Sequence, residues 1–455
     1  MTECRQEKFE FQGTNGKRIE AKFDGGQVST DCGALLLREL CERTGIFERL
    51  TECFADFCSP IFRRYEVKEL LEQRVYGLLC GYEDLNDHET VRTDPMFQVL
   101  VGKPPSEAVA LCGKSTLNRL ELSGRNISKQ EKYKKIACDD DRMEEFFLHE
   151  FVRYAKRRQL KRLILDLDAT DLPLHGSQEG RFFHGYYGHY CYLPLYIFCE
   201  DLPLAAKLRP SNIDASRGTE EELERIVPYL RKRLPGVTIL VRADSAFARE
   251  GIMATCEKLG IHYIFGLAKN NRLISLVEKE LDEAAKKFAE TKMPVRVFKD
   301  FRYRTLDSWS KPRRVIGKAE HLEKGSNPRF IVTSLKKSEV KAMELYEEWY
   351  CKRGDMENRV KEQLHLFADR MSAHLKRANQ VRLWFSTVAY LIMTLFKKIA
   401  LVGTALAKAE AQTIRAKFLK LAGRVTTSAR RIYFSLAEGF PLQEAFLKAA
   451  RNLRM

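Results

Sequence analysis

The feature that most constrains the fold is a change of hydrophobic period near residue 160. Before it, apolar residues recur at helical spacing, as in Ala34–Leu40 and Val67–Tyr82. After it, Arg162–Asp168 reads as a strand, and Cys191–Cys199 and Leu202–Leu208 flank Glu200-Asp201 as a hairpin. No helical pattern separates these three strands. Helices then alternate with strands. One helix starts at Thr219, where Thr-Glu-Glu-Glu resembles a capping box, and Val237–Ala243 is the next strand. Phe247–Leu259 is a helix closed by Gly260, and His262–Leu267 is a further strand. Early strands joined without helices, followed by helical crossovers, give a mixed sheet in an α/β domain.

Around this segment the chain is organised differently. Residues 1 to about 155 read as mainly helical after a strand-like opening, Lys8–Phe23. Within them, Ser106–Cys112, Gly113 and Ser115–Glu121 have the pattern of helix, glycine turn and second helix. A DNA-reading helix-turn-helix and two helices merely packed at an angle fit that pattern equally. Residues 268–344 are charged and interrupted, with one clear strand in Phe330–Ser334, and from Val340 the chain reads as helical to its end. The apolar run Leu383–Phe396 is 14 residues long and closed by two lysines, which suits a buried helix rather than a membrane span. The charged start, Met1–Glu10, does not resemble a signal peptide.

Composition narrows the class. With 455 residues and 44% apolar content, several folding units with real cores are expected, not a disordered chain. The 12 cysteines contain no Cys-x-x-Cys pair, so they read as scattered reduced thiols, expected in a cytoplasmic protein. Lys and Arg number 78 against 62 acidic residues, a net charge of +16. Residues 371–455 hold 15 of those cations and 3 acids, a surplus of 12. Such an excess favours a polyanionic partner, because each neutralised phosphate releases a counterion.

Asp168 ends the first strand and Asp244 ends the strand Val237–Ala243. Carboxylates at the carboxyl ends of sheet strands project into the crevice where α/β sheets hold ligands. Two of them there repel unless a cation lies between, and oxygen ligands favour Mg²⁺ or Mn²⁺. Asp166 points to the same face as Asp168 and Asp171 lies just beyond; Asp168 is preferred for its place at the strand end. A third acid is sought in Tyr350–Lys361, where Tyr350, Arg353, Glu357 and Lys361 fall on one stripe of a regular helix. That stripe sets a carboxylate among phosphate-gripping cations, and it also satisfies the spacing of an ordinary salt-bridged helix.

These segments resemble the insertion-sequence transposases of the thirteen-eighty family. The resemblance is carried by Leu165-Asp166-Leu167-Asp168-Ala169-Thr170-Asp171, Arg242-Ala243-Asp244-Ser245-Ala246-Phe247, Leu208-Arg209-Pro210-Ser211-Asn212, Phe265-Gly266-Leu267-Ala268-Lys269-Asn270 and the Tyr-x-x-Arg-x-x-x-Glu stripe. It implies an RNase H-like core: a mixed five-stranded sheet with a β-rich insertion, flanked by helical N- and C-terminal regions. The implied division is an N-terminal DNA-binding region (1–155), core (156–267), insertion (268–344), Glu helix and packing helix (345–400), and a basic helical region (401–455).

It also implies cut-and-paste transposition by a DDE triad of Asp168, Asp244 and Glu357, holding two Mg²⁺ ions that Mn²⁺ can replace. Tyr350 and Arg353 would contact the transposon end. Lys361 would stand in for the lysine that relatives carry seven residues after the Glu, where this chain has Leu364. The chain also has Ala246 where Asp-Ser-Gly-Phe is usual. Arg415, Lys417, Lys420, Arg424, Arg430 and Arg431 are the expected basic surface. The implied partners are double-stranded DNA, as terminal inverted repeats and as target, and a second copy in a homodimer. The implied setting is the bacterial nucleoid. A stand-alone nuclease and a non-catalytic DNA-binding regulator are the rival readings.

Overall fold

The structure is a computed structural model that describes residues 8–106, 108–125 and 135–454. Cys4 lies outside the described residues. The chain divides into two units, residues 138–387 and residues 1–137 with 388–455.

The first of these units is built on one mixed sheet. Its strands are β1 (Arg162–Ala169), β2 (Leu195–Cys199), β3 (Leu202–Lys207), β4 (Thr238–Ala243), β5 (His262–Leu267), β6 (Val295–Tyr303), β7 (Arg313–Leu322) and β8 (Arg329–Thr333). They stand in the order β3-β2-β1-β4-β5-β8-β7-β6, and a short ninth strand pairs with β7. β2 runs antiparallel to β1 and β3, whereas β4 runs parallel to β1 and β5. The turn between β2 and β3 uses left-handed backbone at both Glu200 (φ 52°) and Asp201 (φ 70°), as a two-residue hairpin requires. Helices Thr219–Arg233 and Glu250–Lys258 make the crossovers, so the main sheet follows the expected order. The expected strand Cys191–Cys199, however, is broken at Leu193-Pro194 into His189–Tyr192, in a separate small sheet, and Leu195–Cys199. The first of these starts from Gly218 without a side-chain cap, not from a Thr219 box.

The sheet is larger than the five strands expected. The insertion does not stand apart: β8 pairs along β5, from Ile264–Thr333 to Leu267–Phe330, and β7 and β6 follow. An apolar β5 left as an edge would expose a row of unpaired backbone groups, and β8 covers it. The insertion also carries two helices, Asn271–Leu276 and Glu278–Thr291, and the second packs on β6 and β7. Leu240, Ile264, Ile316 and Ile331, from four strands, form one apolar cluster with Leu345 and Tyr346. That cluster fixes the start of the helical run that carries Glu357.

The other unit is mainly helical, with corrections to the sequence reading. Ser106 and its neighbours up to Gly113 form no helix among the described residues; Lys114–Glu121 is the helix there. Pro104-Pro105 opens the segment, and the Gln98 side chain binds its backbone at Ser106 and Val109. Gln98 accepts from Ser106 N (2.7 Å) and donates to the carbonyls of Ser106 (2.8 Å) and Val109 (2.9 Å). The helix-turn-helix is therefore absent in the form expected. The C-terminal region is not wholly helical either. Gly423–Thr427 and Ile432–Leu436 form a hairpin that also pairs with Val28–Ser29. Their β-branched and aromatic residues favour strands over the helix assumed from charge and apolar content alone. Among the described residues, no helix is long and apolar enough to cross a membrane.

Candidate active site

Strand alternation and parallel register build the site. On β1, Ile164, Asp166 and Asp168 share one face, and on β4 so do Leu240, Arg242 and Asp244. The register pairs Leu240 with Ile164 and Arg242 with Asp166. Continued by one more step, it sets Asp244 beside Asp168. Three rungs follow one another toward the carboxyl end of the sheet: apolar, ion-paired, and doubly acidic.

The middle rung is saturated. Asp166 is 2% exposed. It accepts from Arg242 Nε (2.6 Å) and Nη2 (2.9 Å), and from Arg359 Nη1 (2.6 Å). Arg242 Nη1 also donates to the Trp349 carbonyl at 2.5 Å, and Arg359 Nε to Asp201 Oδ1 at 2.9 Å. Two guanidiniums thus neutralise one buried carboxylate and clamp the helix Asp355–His365 to the sheet. Neither Arg242 nor Arg359 stands out as a site residue in the sequence. The available signal was that Arg242 precedes Asp244 by the same two residues by which Asp166 precedes Asp168.

The outer rung has no such guanidinium pair. Asp168 is half-buried and accepts only from its neighbour Ala169 N (2.9 Å) among the described hydrogen bonds. Asp244 caps a short helical turn, accepting from Ala246 N at 2.9 Å. Burial first, then the Asp244 carboxylate, push the Asp168 carboxyl up from its ordinary 3.8 to about 6, against the pull of Arg353. Like charges held together in this way favour protonation, or a cation between them.

The third expected acid arrives on an irregular helix. Leu345–Tyr350 is π-helical, Cys351–Gly354 is 3₁₀ and Asp355–His365 is α-helical. The even angular stripe assumed for Tyr350, Arg353, Glu357 and Lys361 therefore does not apply, since the turn first widens and then tightens. Part of the stripe still converges. Arg353 Nη2 lies 3.5 Å from Glu357 Oε1, and Arg353 also interacts with Asp168 and Tyr350. Tyr350 reaches the Asp244 turn over Gly266, where a Cβ would lie 2.5 Å from its hydroxyl and 2.9 Å from Ser245 N. Glycine alone permits that approach. The Glu357 side chain is 70% exposed. Among the described residues no three His, Cys, Asp or Glu side chains converge closely enough to hold a metal ion. The Asp168–Asp244 pair, two neighbouring carboxylates without a guanidinium pair, fits a cation; Glu357 is exposed on a neighbouring helix and lies against Arg353. Lys361 is exposed, and Leu364 is half-buried on the same helix.

The basic C-terminal residues separate into two groups. Lys417, Arg424, Arg430 and Arg431 are exposed. Arg415 and Lys420, expected beside them, are committed within their own unit. Arg415 donates to the carbonyls of Leu79 (3.2 Å) and Leu78 (3.4 Å), and Lys420 to buried Asp31 (2.6 Å) and to Tyr82 Oη (3.1 Å). A buried carboxylate and helix-end carbonyls need those donors, so both side chains serve the fold. Of the cysteines, Cys32, Cys41, Cys53, Cys80, Cys112, Cys138, Cys191, Cys199 and Cys256 are buried free thiols.

The family model described as Transposase DDE domain group 1 matches residues 11–455. No curated protein matches the chain. Among solved structures, the "Mos1 transposase paired-end complex with left transposon end" is 13% identical. That match covers 50% of this chain and 70% of the other, with a TM-score of 0.17, a likeness too slight to bear on fold or function. The family match spans nearly the whole sequence, including both strand-end aspartates and the Glu357 helix, and the chain belongs to the DDE transposases, the polynucleotidyl transferases that move DNA segments.

Proposed function

We propose that Asp168, Asp244 and Glu357 are the DDE triad of an RNase H-like core that cuts transposon ends and joins them to target DNA. The order β3-β2-β1-β4-β5, with β2 antiparallel, supports the RNase H-like reading. The observation that carries the site is the outer rung: two neighbouring carboxylates, with the Asp168 carboxyl pushed up by burial and then by Asp244, and with no guanidinium pair such as Asp166 has. Those two aspartates, with Glu357, would hold Mg²⁺ or Mn²⁺, which polarises a phosphodiester and makes bound water or a 3′-hydroxyl a better nucleophile.

The protein's own groups have distinct tasks. Asp166, Arg242 and Arg359 fix the helix that presents Glu357. Arg353 neutralises part of the carboxylate charge and, when Glu357 turns inward, is free to grip a phosphate oxygen. Tyr350, seated over Gly266, aligns the DNA end beside the Asp244 turn. Lys361 takes the phosphate contact that relatives make with a later lysine. Exposed Lys417, Arg424, Arg430 and Arg431 bind the DNA backbone, and Arg415 and Lys420 do not. The chain acts as a homodimer on paired terminal repeats in the cytoplasm, within the insertion-sequence thirteen-eighty group.

A donor plasmid carrying the element's ends, incubated with supercoiled target and Mg²⁺, tests the reading. Cleavage followed by joining is expected from the wild type. Cleavage without joining would support the nuclease reading instead. Asp168→Asn that still cleaves would remove the triad.

A further inference from the structure

Where β1 leaves the sheet after Asp168, the chain forms a small second sheet. Its strands are Leu172–Pro173, His189–Tyr192 and Phe182–His184, in that spatial order. The last two make a hairpin with pairs Phe182–Cys191, Phe183–Tyr190 and His184–His189. The end of the hairpin nearest the core is buried, with Cys191 and Tyr192 at 0% exposure. The remainder is an unusual concentration of open rings: Phe182 is 41% exposed, Phe183 58%, Tyr190 45% and Tyr186, at the tip, 86%.

This hairpin is fixed in place. Leu174 N donates to the Tyr190 carbonyl (2.9 Å), Ser211 Oγ to the Phe182 carbonyl (2.9 Å), and His189 Nε2 lies 2.7 Å from Asp171 Oδ2. Its rings are ordered against each other. Phe183 and Tyr190 meet edge-to-face at 5.7 Å, Tyr186 and Tyr187 at 5.0 Å, and the Arg181 guanidinium lies 4.8 Å from the Tyr190 centroid. The hairpin also neighbours the outer rung in the chain path: Leu172–Pro173, four residues beyond Asp168, pairs with Tyr192 and Cys191. Gly185 and Gly188 in the tip have open space where a side chain would stand.

We propose that the hairpin Phe182–Tyr192 is a stacking platform for unpaired bases of the DNA strand processed at Asp168 and Asp244. The proposal rests on the transposase reading of those residues. Planar rings with an arginine beside them suit bases of any sequence, since every base offers a π-face. Tyrosine, phenylalanine and arginine also suit protein interfaces, so the choice of a nucleic-acid strand rests on the hairpin's place beside the segment that carries Asp168, with His189 held by Asp171. A rigid hairpin keeps the rings poised, so little ordering cost opposes stacking.

The test uses the full-length protein in chelator, so that cleavage plays no part. The probes are a short blunt duplex and the same duplex with a thymine tail holding one fluorescent adenine analogue that is quenched by stacking. The wild type is expected to prefer the tailed duplex and to quench the analogue. Tyr186→Ala and Phe183→Ala, both at exposed positions, are each expected to weaken tailed-duplex binding about tenfold, the scale of one lost base–aromatic stack. Blunt-duplex affinity should not change, and Tyr186→Trp should retain both preference and quenching. The proposal is overturned if the wild type shows no preference or the alanine variants bind and quench as the wild type does. It is equally overturned if those variants alter sedimentation mass and leave DNA binding alone, which would assign the rings to a second copy. An Asp168→Asn variant that still cleaves would overturn the triad and leave the tail preference standing. Loss of the preference alongside an inactive Asp168→Asn would overturn only the platform.

Discussion

Asp166 and Asp168 stand two residues apart on one face of β1, and Arg242 and Asp244 stand likewise on β4, yet the two rungs have opposite electrostatics. In the inner rung the fold supplies two guanidiniums to one carboxylate, burying Asp166 and Arg242 and half-burying Arg359. In the outer rung it sets a carboxylate against a carboxylate, and the Asp168 carboxyl is pushed up to about 6 by burial and by Asp244. The inner arrangement is complete and holds the Glu357 helix in place. The outer one has no such guanidinium pair, and a strand-end carboxyl raised by burial and a like charge marks a candidate functional site. Neighbouring residues of one type can thus have unrelated roles, and the partners distinguish them.

The largest effect should come from the outer rung. Asp168→Ala, Asp244→Ala and Glu357→Ala are each expected to reduce end cleavage by several orders of magnitude while leaving DNA binding and thermal stability nearly unchanged. Any of them that stays within about tenfold of wild type, roughly 1.4 kcal/mol of barrier, is misassigned.

The inner rung should respond in the reverse sense, through stability. Removing Arg242 leaves Asp166 buried with half its countercharge, and Arg242→Met is expected to cost about 3–5 kcal/mol in urea unfolding. Asp166→Ala, which strands two arginines, should do the same, so any activity it loses must be corrected for unfolded protein. A variant of either kind with wild-type stability and no cleavage would move Asp166 into the catalytic group.

His88 shows a third way to bury an ionisable group, which is to keep it neutral. It is 0% exposed beside Gln73, and burial, with Arg74, holds its pKa down at about 3 instead of 6.5. The unfolded chain therefore binds a proton that the folded chain refuses between those values. Stability contributed by His88 is full above pH 6.5 and is lost as pH falls toward 3, at up to about 1.4 kcal/mol per pH unit. Urea midpoints measured down this range should fall less steeply in His88→Gln than in the wild type. Equal slopes would mean that His88 accepts a proton without unfolding.

The smallest effects belong to the basic surface. Arg430→Glu and Arg431→Glu should each lower the slope of log K against log salt by about one, the value for one phosphate contact. Arg415→Glu should instead lower the melting temperature, because that guanidinium caps Leu78 and Leu79. A salt slope that Arg430→Glu and Arg431→Glu leave untouched would place the DNA elsewhere.

Several things were legible from the residues alone. The β-β-β-α-β-α-β order, Asp168 and Asp244 at strand ends, and the buried helix around Leu383–Phe396 follow from local period and turn chemistry, which act over a few residues. Other features depended on what lies beside a strand or helix after folding. The pairing of β8 with β5, the hold of Gln98 on Ser106 and Val109, and the hairpin at Gly423–Leu436 all use partners outside the local run. Likewise the winding of Leu345–Gly354 departs from the regular helix that its composition suggests.

The sequence by itself determined which acids reach the open end of the sheet, because strand alternation and strand length are local and fix where each side chain leaves the backbone. Only the tertiary structure decided which of them receives a pair of guanidiniums. That depends on the register of β1 against β4 and on the helix that brings Arg359 to Asp166, set by packing between residues as much as 193 positions apart. Coulomb energy depends on distance through space and on local dielectric, and neither is written in the spacing along the chain.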